Sequence, residues 1–381
     1  MEWCTSINVG HWYDIVAKCA VEDCHLATHN PDYNKDDPYS EQTFWKPGAG
    51  DWVFSYDETG VTLDGTDVGR ASAMRDKGET MVNKSSWRMT SVGASFMSGK
   101  SIPLLDMFPG KSYDVDWTLG APESSIVDPI TGLFRKATFW ANEKGGMTWD
   151  LSEHYLTHNI IPCVPIPTAL QIEEEWRYMG NYDGHNSHTT LGCLRAMREP
   201  PPGVPRGEGV LRIPHTSHRT QGEDVRNFKV FKPLFYCYKK TRLTDKIQHP
   251  EKYLNFPPAG TLGPADLMVC KKLAWDQAFT HKECSAGWEE IGFFPKFNRK
   301  VFWELVEEEK SRGVVRHRAD PISVMRALAE RTVEPEVEES EVAVDPTSYG
   351  RKKRPRHYAD PLKGPVTSDQ AWEQRMADEA I

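Results

Sequence analysis

The chain has 381 residues, 13 Trp, 28 Gly, 27 Pro and a formal net charge of -9, enough length for one large or two medium domains with a sizeable core. The acidic balance excludes a nucleic-acid footprint spread over the whole chain, and eight cysteines in this length exclude a disulfide scaffold. No apolar stretch approaches the roughly 20 residues that span a bilayer, and no basic region followed by an apolar run marks a secretory signal.

In chain order, residues 1–48 mix Trp3, Trp12, Tyr13 and Trp45 with a polar loop and read as an extended arm with anchoring aromatics. Residues 51–57, DWVFSYD, alternate with period two and predict a strand. Residues 60–69 predict a strand and turn around Asp64-Gly65. SIPLLDMF and SYDVDWTL predict two more strands, split by Pro109-Gly110. Residues 120–150 read as loop. The run 158–167 holds three prolines, which keep it out of a regular sheet interior. Residues 170–180, LQIEEEWRYMG, predict a short helix closed by Gly180, and residues 198–224 a Pro/Gly-rich loop with a strand inside. Residues 227–243, NFKVFKPLFYCYKKTRL, alternate well and are the strongest strand candidate. Leu267, Cys270, Leu273, Ala274 and Ala278 share a face at helical spacing. Helices follow at 299–311 and 320–332, the latter capped by Asp320 with Pro321 in its first turn.

The resulting division is an N-terminal arm (1–48), a body (49–300), a helical segment (301–332), an acidic linker (333–349) and a basic tail (350–381). The isolated Cys4, Cys163, Cys193, Cys237 and Cys270 read as reduced, packed thiols made in a reducing cytoplasm. The many Trp and Tyr suit surfaces that are half core and half interface.

Catalytic templates are sparse. Cys19, Cys24, His25 and His29 lie within eleven residues, too tight for the spaced pairs of a zinc site; a packed aromatic arm is the default. His154 and His158 share a helical face, but Tyr155 stands where the zinc-protease pattern needs Glu. His185, His188, His215 and His218 read as solvated loop histidines. The run Glu173–Glu175 reads as a solvated helix face. No phosphate loop and no Gly-x-Ser-x-Gly elbow occurs. The expectation is therefore no enzyme, no metal and no cofactor. One alternative is a metal-dependent enzyme near His154, His158 and His185. Another is an accessory virion or nucleic-acid-binding protein acting through its tail.

That tail is the clearest charge feature. Arg351, Lys352, Lys353, Arg354 and Arg356, flanked by Gly350 and Pro355, read as an extended stretch that would bind single-stranded nucleic acid with strong salt dependence. His357 and Tyr358 offer faces for base stacking. Equally, the block reads as a solvated loop or as a partner of the acidic residues Glu334, Glu336, Glu338, Glu339 and Glu341.

Four segments, in order, resemble the major capsid protein of the microviruses, the small icosahedral single-stranded DNA phages. In residues 83–116 these are Asn83, Ser85, Phe96, Gly99, Ile102, Pro103, Pro109, Gly110, Tyr113 and Val115. Further on they are Val164, Pro165, Trp176, Tyr178, Met179 and Gly180, then Leu273, Trp275, Asp276, Gln277 and Phe279. The last are Arg354, Arg356, His357, Tyr358, Pro361, Lys363 and Gly364. The resemblance covers roughly a quarter of the chain.

It implies a mainly β coat protein, an eight-stranded jelly roll with long loop insertions and a few helices. It implies 60 copies in a T=1 icosahedral shell that packages single-stranded DNA, in a virion assembled in the host cytoplasm. The partners implied are the chain itself, that DNA, other virion or scaffolding proteins and a host surface receptor, without membrane insertion. Ile102, Pro103, Pro109, Gly110, Trp176 and Trp275 then become subunit-interface residues, and Arg351, Lys352, Lys353, Arg354, Arg356, His357 and Tyr358 the DNA contacts.

Overall fold

The computed structural model describes residues 4–62, 87–118, 121–129, 131–184, 187–200, 203–213, 215–253 and 262–314. The helix expected at 320–332, the acidic linker and the basic tail lie outside them. Sheet is present, with six strands in its main body, but helix (46%) outweighs strand (20%).

The N-terminal region corrects the reading of an extended arm. Helix α1 (Ser6–Lys18) starts where the Thr5 side chain accepts a hydrogen bond from the Asn8 N–H. Val9, Trp12, Tyr13 and Val16 recur at helical spacing and are fully buried. Trp12 and Tyr13 pack on Phe293, and the Tyr13 hydroxyl donates to the Ile291 carbonyl at 2.6 Å. A π-helical turn (Cys19–Asp23) follows, then β1 (Ala27–His29) paired with β2 (Thr43–Trp45).

The main sheet is built on β3 (Val53–Thr62). Antiparallel to it lies β4 (Arg88–Phe96), and antiparallel to that β5 (Leu105–Pro109). A separate hairpin, β6 (Glu123–Val127) with β7 (Phe134–Lys136), precedes β8 (Thr138–Asn142), which pairs in parallel with β5. These three strands correct the loop expected over 120–150. Conversely, the strand expected from SYDVDWTL is a 3-10 turn (Val115–Thr118), where the Asp114 carboxylate accepts from the Asp116 N–H and competes with strand pairing.

Helix α2 (Trp149–Tyr155) continues through a π turn (Leu156–Ile160) into a 3-10 turn (Ile161–Cys163). Helix α3 (Ala169–Glu173) has a capping box on Thr168 and Gln171 and ends well before Gly180. That glycine instead lies inside β9 (Tyr178–Tyr182), where a Cβ would stand 2.8 Å from the rings of Phe54 and Tyr182. Helix α4 (Leu191–Arg198) leads to β10 (Gly207–Leu211), the strand foreseen in the Pro/Gly-rich loop. The order is β10-β9-β3-β4-β5-β8, with β9 parallel to β3 and β10 parallel to β9.

Short α5 (Ser217–Thr220) and a π turn (Glu223–Asn227) precede α6 (Phe228–Gln248). This helix replaces the strongest strand candidate. Phe228, Phe231 and Phe235 are buried at spacings of three and four, so the segment satisfies a helical period as well as the alternating one, and Pro233 lies on its exposed side. Then come α7 (Pro264–Ala278), α8 (His281–Glu290) and α9 (Lys300–Ser311). On α7, Leu267, Cys270, Ala274 and Ala278 are buried as expected, whereas Leu273 is 45% exposed.

Two apolar clusters cover the sheet. One gathers Phe54, Tyr56 and Phe96 with residues of α1, α2, α4 and α9. The other gathers Val61, Met89 and Phe108 with α6 and α7. This is why residues 53–57 of β3 are buried without interruption instead of alternating between core and water.

Candidate functional site

Extending the β3–β9 register from Phe54↔Gly180 sets Asp57 level with Asp183, one residue beyond the end of β9. These neighbouring parallel strands flank the point where the chain order of the sheet reverses, a position that favours ligand sites in open α/β sheets. Asp183 is held in place: its Oδ1 lies 2.7 Å from Nδ1 of His188, whose Nε2 lies 3.1 Å from Oε1 of Glu58. His188 is buried between the rings of Tyr56 and Tyr182. Burial alone would lower its pKa, but Glu58 and Asp183 override it and hold the imidazole well above its ordinary value. His188 is thus a core residue rather than a solvated one.

A third carboxylate, Asp224, arrives on the π turn ahead of α6, which is fastened to β3. The Glu223 carboxylate accepts from Ser55 Oγ at 2.5 Å and from Ser95 Oγ at 3.2 Å. Gln221 Nε2 donates to the Tyr56 carbonyl at 2.9 Å. Arg212, next after β10, donates to Ser55 Oγ (2.9 Å), the Asn181 carbonyl (2.6 Å) and the Thr220 carbonyl (2.9 Å). One buried guanidinium therefore ties β3, β9 and the turn before Asp224 together.

The electrostatics follow from this gathering. Burial, then Glu58, Asp224 and Asp183, push the Asp57 carboxyl well above the usual carboxylate range. Burial likewise raises Glu223, against Arg212 and the Ser55 hydroxyl. Burial lowers Arg212, while Glu223, Asp57, Asp183 and Asp224 oppose it. Carboxylates gathered at low dielectric oppose one another's ionisation, an arrangement common at functional sites. Among the described residues, no three His, Cys, Asp or Glu side chains converge at metal-ligand distance.

Apart from His188, the residues singled out from sequence fall elsewhere. Ile102, Pro103, Trp176 and Trp275 are buried in the chain's own core. Trp176 packs edge-on against Trp52, and Trp275 stacks on Phe279 at 4.1 Å. Pro109 and Gly110 end β5, with Gly110 at φ +124° and its N–H donating to the Asn142 carbonyl. Arg351, Lys352, Lys353, Arg354, Arg356, His357 and Tyr358 lie outside the described residues, as does His185. The rings of His154 and His158 stack at 4.1 Å beside Trp140. Cys19 and Cys24 bring their sulfurs to 3.7 Å inside the core, while His29 is exposed.

Sequence reasoning missed Asp57, Asp183 and Asp224. One signal was available: Ser55-Tyr56-Asp57 and Asn181-Tyr182-Asp183 both place Tyr-Asp at the close of a buried run. No family model, curated protein or solved structure matches the chain.

Proposed function

We propose that the chain is a metal-dependent phosphodiester hydrolase or transferase acting on nucleic acid, with Asp57, Asp183 and Asp224 as its carboxylates. The observation that carries this reading is the placement of the three: the parallel β3–β9 register sets Asp57 level with Asp183, and Asp224 lies on the turn fastened to β3 through Glu223 and Gln221. Their oxygens are the hard donors that Mg2+ or Mn2+ prefers, and such an ion is usually held by one or two carboxylates together with substrate phosphates; the three do not converge on one point, so one or two of them would hold it. When bound, it would polarise a phosphoryl oxygen and supply a nucleophile at neutral pH. The chain's own residues orient the carboxylates: His188 fixes Asp183, and Arg212 with Glu223 fixes the approach of the Asp224 turn to β3. Nucleic acid as substrate rests on fold-level analogy: a meander of three antiparallel strands, extended on its first strand by two parallel ones, sets the carboxylates at the switch point of the sheet.

The test is incubation of the purified protein with Mg2+ or Mn2+ and a labelled DNA duplex. Strand cleavage is expected, blocked by a chelator and reduced on the order of 1,000-fold or more by Asp57→Asn. Equal cleavage by wild type and variant, or none by either, sinks the reading.

The coat-protein role is a second proposal, supported by the four ordered segments that resemble microvirus capsid proteins. It requires the described sheet to belong to a jelly roll, and it predicts megadalton particles holding nuclease-protected DNA. A clean monomer under all assembly conditions, by light scattering and electron microscopy, counts against it.

A further inference from the structure

Helix α6 carries six cations, Lys229, Lys232, Lys239, Lys240, Arg242 and Lys246, and one acid, Asp245, on a chain whose net charge is -9. The six divide by direction. Lys239 Nζ donates to the Thr62 carbonyl at 2.9 Å, and Arg242 and Lys246 pair with buried Asp266 at 3.0 and 2.8 Å. Lys229, Lys232 and Lys240 are exposed and share one side of the helix at spacings of three and eight residues. No carboxylate among the described residues pairs with them. The one acid of the helix is engaged by the Tyr253 hydroxyl and by Lys252.

The stripe has a defined relation to the carboxylates. The Phe228 ring lies against Gly93, which pairs with Asp57, and Lys239 reaches Thr62. Five residues of strand and eleven of helix each span about 16 Å, so α6 runs alongside β3 and in the same direction. Lys229 stands five residues after Asp224, and the row runs from the level of Asp57 to the level of Thr62, the last residue of β3, beyond the end of β9 at which Asp183 sits.

We propose that Lys229, Lys232 and Lys240 form a track for the phosphate backbone of the nucleic acid whose scissile bond lies at Asp57, Asp183 and Asp224. The track rests on the functional reading above and adds where the substrate leaves the site. Exposed ammonium groups in a row, without competing carboxylates, match a polyanion with regularly spaced charge, and their contribution is sequence-independent. Three such contacts make affinity fall about 40-fold between about 50 and 200 mM salt.

The test uses the full chain with Asp57→Asn, so that bound DNA stays intact, and measures anisotropy of a short labelled DNA duplex across that salt range. Adding Lys229→Ala, Lys232→Ala and Lys240→Ala should lower the slope of log affinity against log salt by about 2 to 3. Lys272→Ala, whose ammonium pairs with Asp276 on α7, should leave the slope unchanged. All four lysines are solvent-facing, so folding is checked by an unchanged melting curve. An unaltered slope in the triple variant overturns the track, as does an equal loss in the Lys272 control. The outcome separates from that of the functional reading. Metal-dependent cleavage by the wild type with an unaltered slope sinks the track alone, whereas a lysine-dependent slope without cleavage sinks the hydrolase reading alone.

Discussion

Asp57 is a residue whose protonation and folding are linked. Its folded-state pKa is raised by burial and by Glu58, Asp224 and Asp183, so the folded protein prefers the neutral acid. The stabilisation this gives is fully present below the unfolded value of about 3.9 and is lost as pH rises through the folded value. Asp57→Asn, neutral at every pH, should therefore raise the melting temperature at neutral pH and remove that part of the pH dependence. A divalent cation should raise the melting temperature of the wild type and not of the variant. Thermal melts near pH 5 and 8 with and without Mg2+ read both effects. Lys271 poses the opposite case. It and Asp106 are fully buried and paired, with Ser91 Oγ donating to the same carboxylate at 2.7 Å. Lys271→Met leaves a buried charge without its counterion and should cost about 3 to 5 kcal/mol. Removing Asp106 as well, in Lys271→Met/Asp106→Leu, should recover much of it; urea titration of both variants measures the difference.

Among the elements, the segment from β10 to α6 depends on polar rather than apolar fastening. Arg212 touches Ser55, Asn181 and Thr220, and Glu223 touches Ser55 and Ser95. Arg212→Met keeps the bulk but leaves Glu223 buried without its cation. We expect a loss of about 3 to 5 kcal/mol. Faster amide exchange should concentrate in residues 217–227, with β4 and α7 little changed. The same segment explains what was legible. The strands expected at 51–57 and 101–108 are present in β3 and β5, and the helical spacing at 265–283 and 299–311 is met by α7 and α9, the former run breaking after Ala278 where α8 takes over. Helix α6 was not legible, because Phe228 and Val230 alternate with Asn227 and Lys229 while Phe228, Phe231 and Phe235 fit a helix, and only packing against Gly93 and Trp275 decides between them. The carboxylate site was hidden for another reason. Asp57 and Asp183 are 126 positions apart, and only the parallel β3–β9 pairing brings them level.

In the molecule as a whole, the first described helix closes the core. Trp12 and Tyr13 of α1 pack on Phe293 and Phe297, and the Ser6 hydroxyl donates to Glu309 of α9 at 2.6 Å. Reading residues 1–48 as an arm predicts that the body tolerates their loss. The packing predicts the reverse: removing residues 1–26 exposes Trp288, Phe293 and Phe297 together and should abolish cooperative unfolding, or leave the protein insoluble. Circular-dichroism melts of the shortened chain decide it. An intact, sharp transition would mean that α1 is dispensable. Part of the aromatic content foreseen as interface material belongs to this core, with Trp12, Trp52 and Trp288 each 1% exposed.

The π turn at Glu223–Asn227 holds one residue more than an α-helical turn would. Each residue turns a helix by about 100°, so this surplus fixes the rotational phase between Asp224 and the face of α6 that Phe228, Phe231 and Phe235 anchor. Length variation elsewhere on the path from Asp183, as in the loop expected from sequence between α4 and β10, leaves that phase untouched. A single deletion inside the turn re-aims the carboxylate while the anchored helix stays where it is. Lineages of this chain should therefore vary freely in the length of that loop and hardly at all within five residues of the turn.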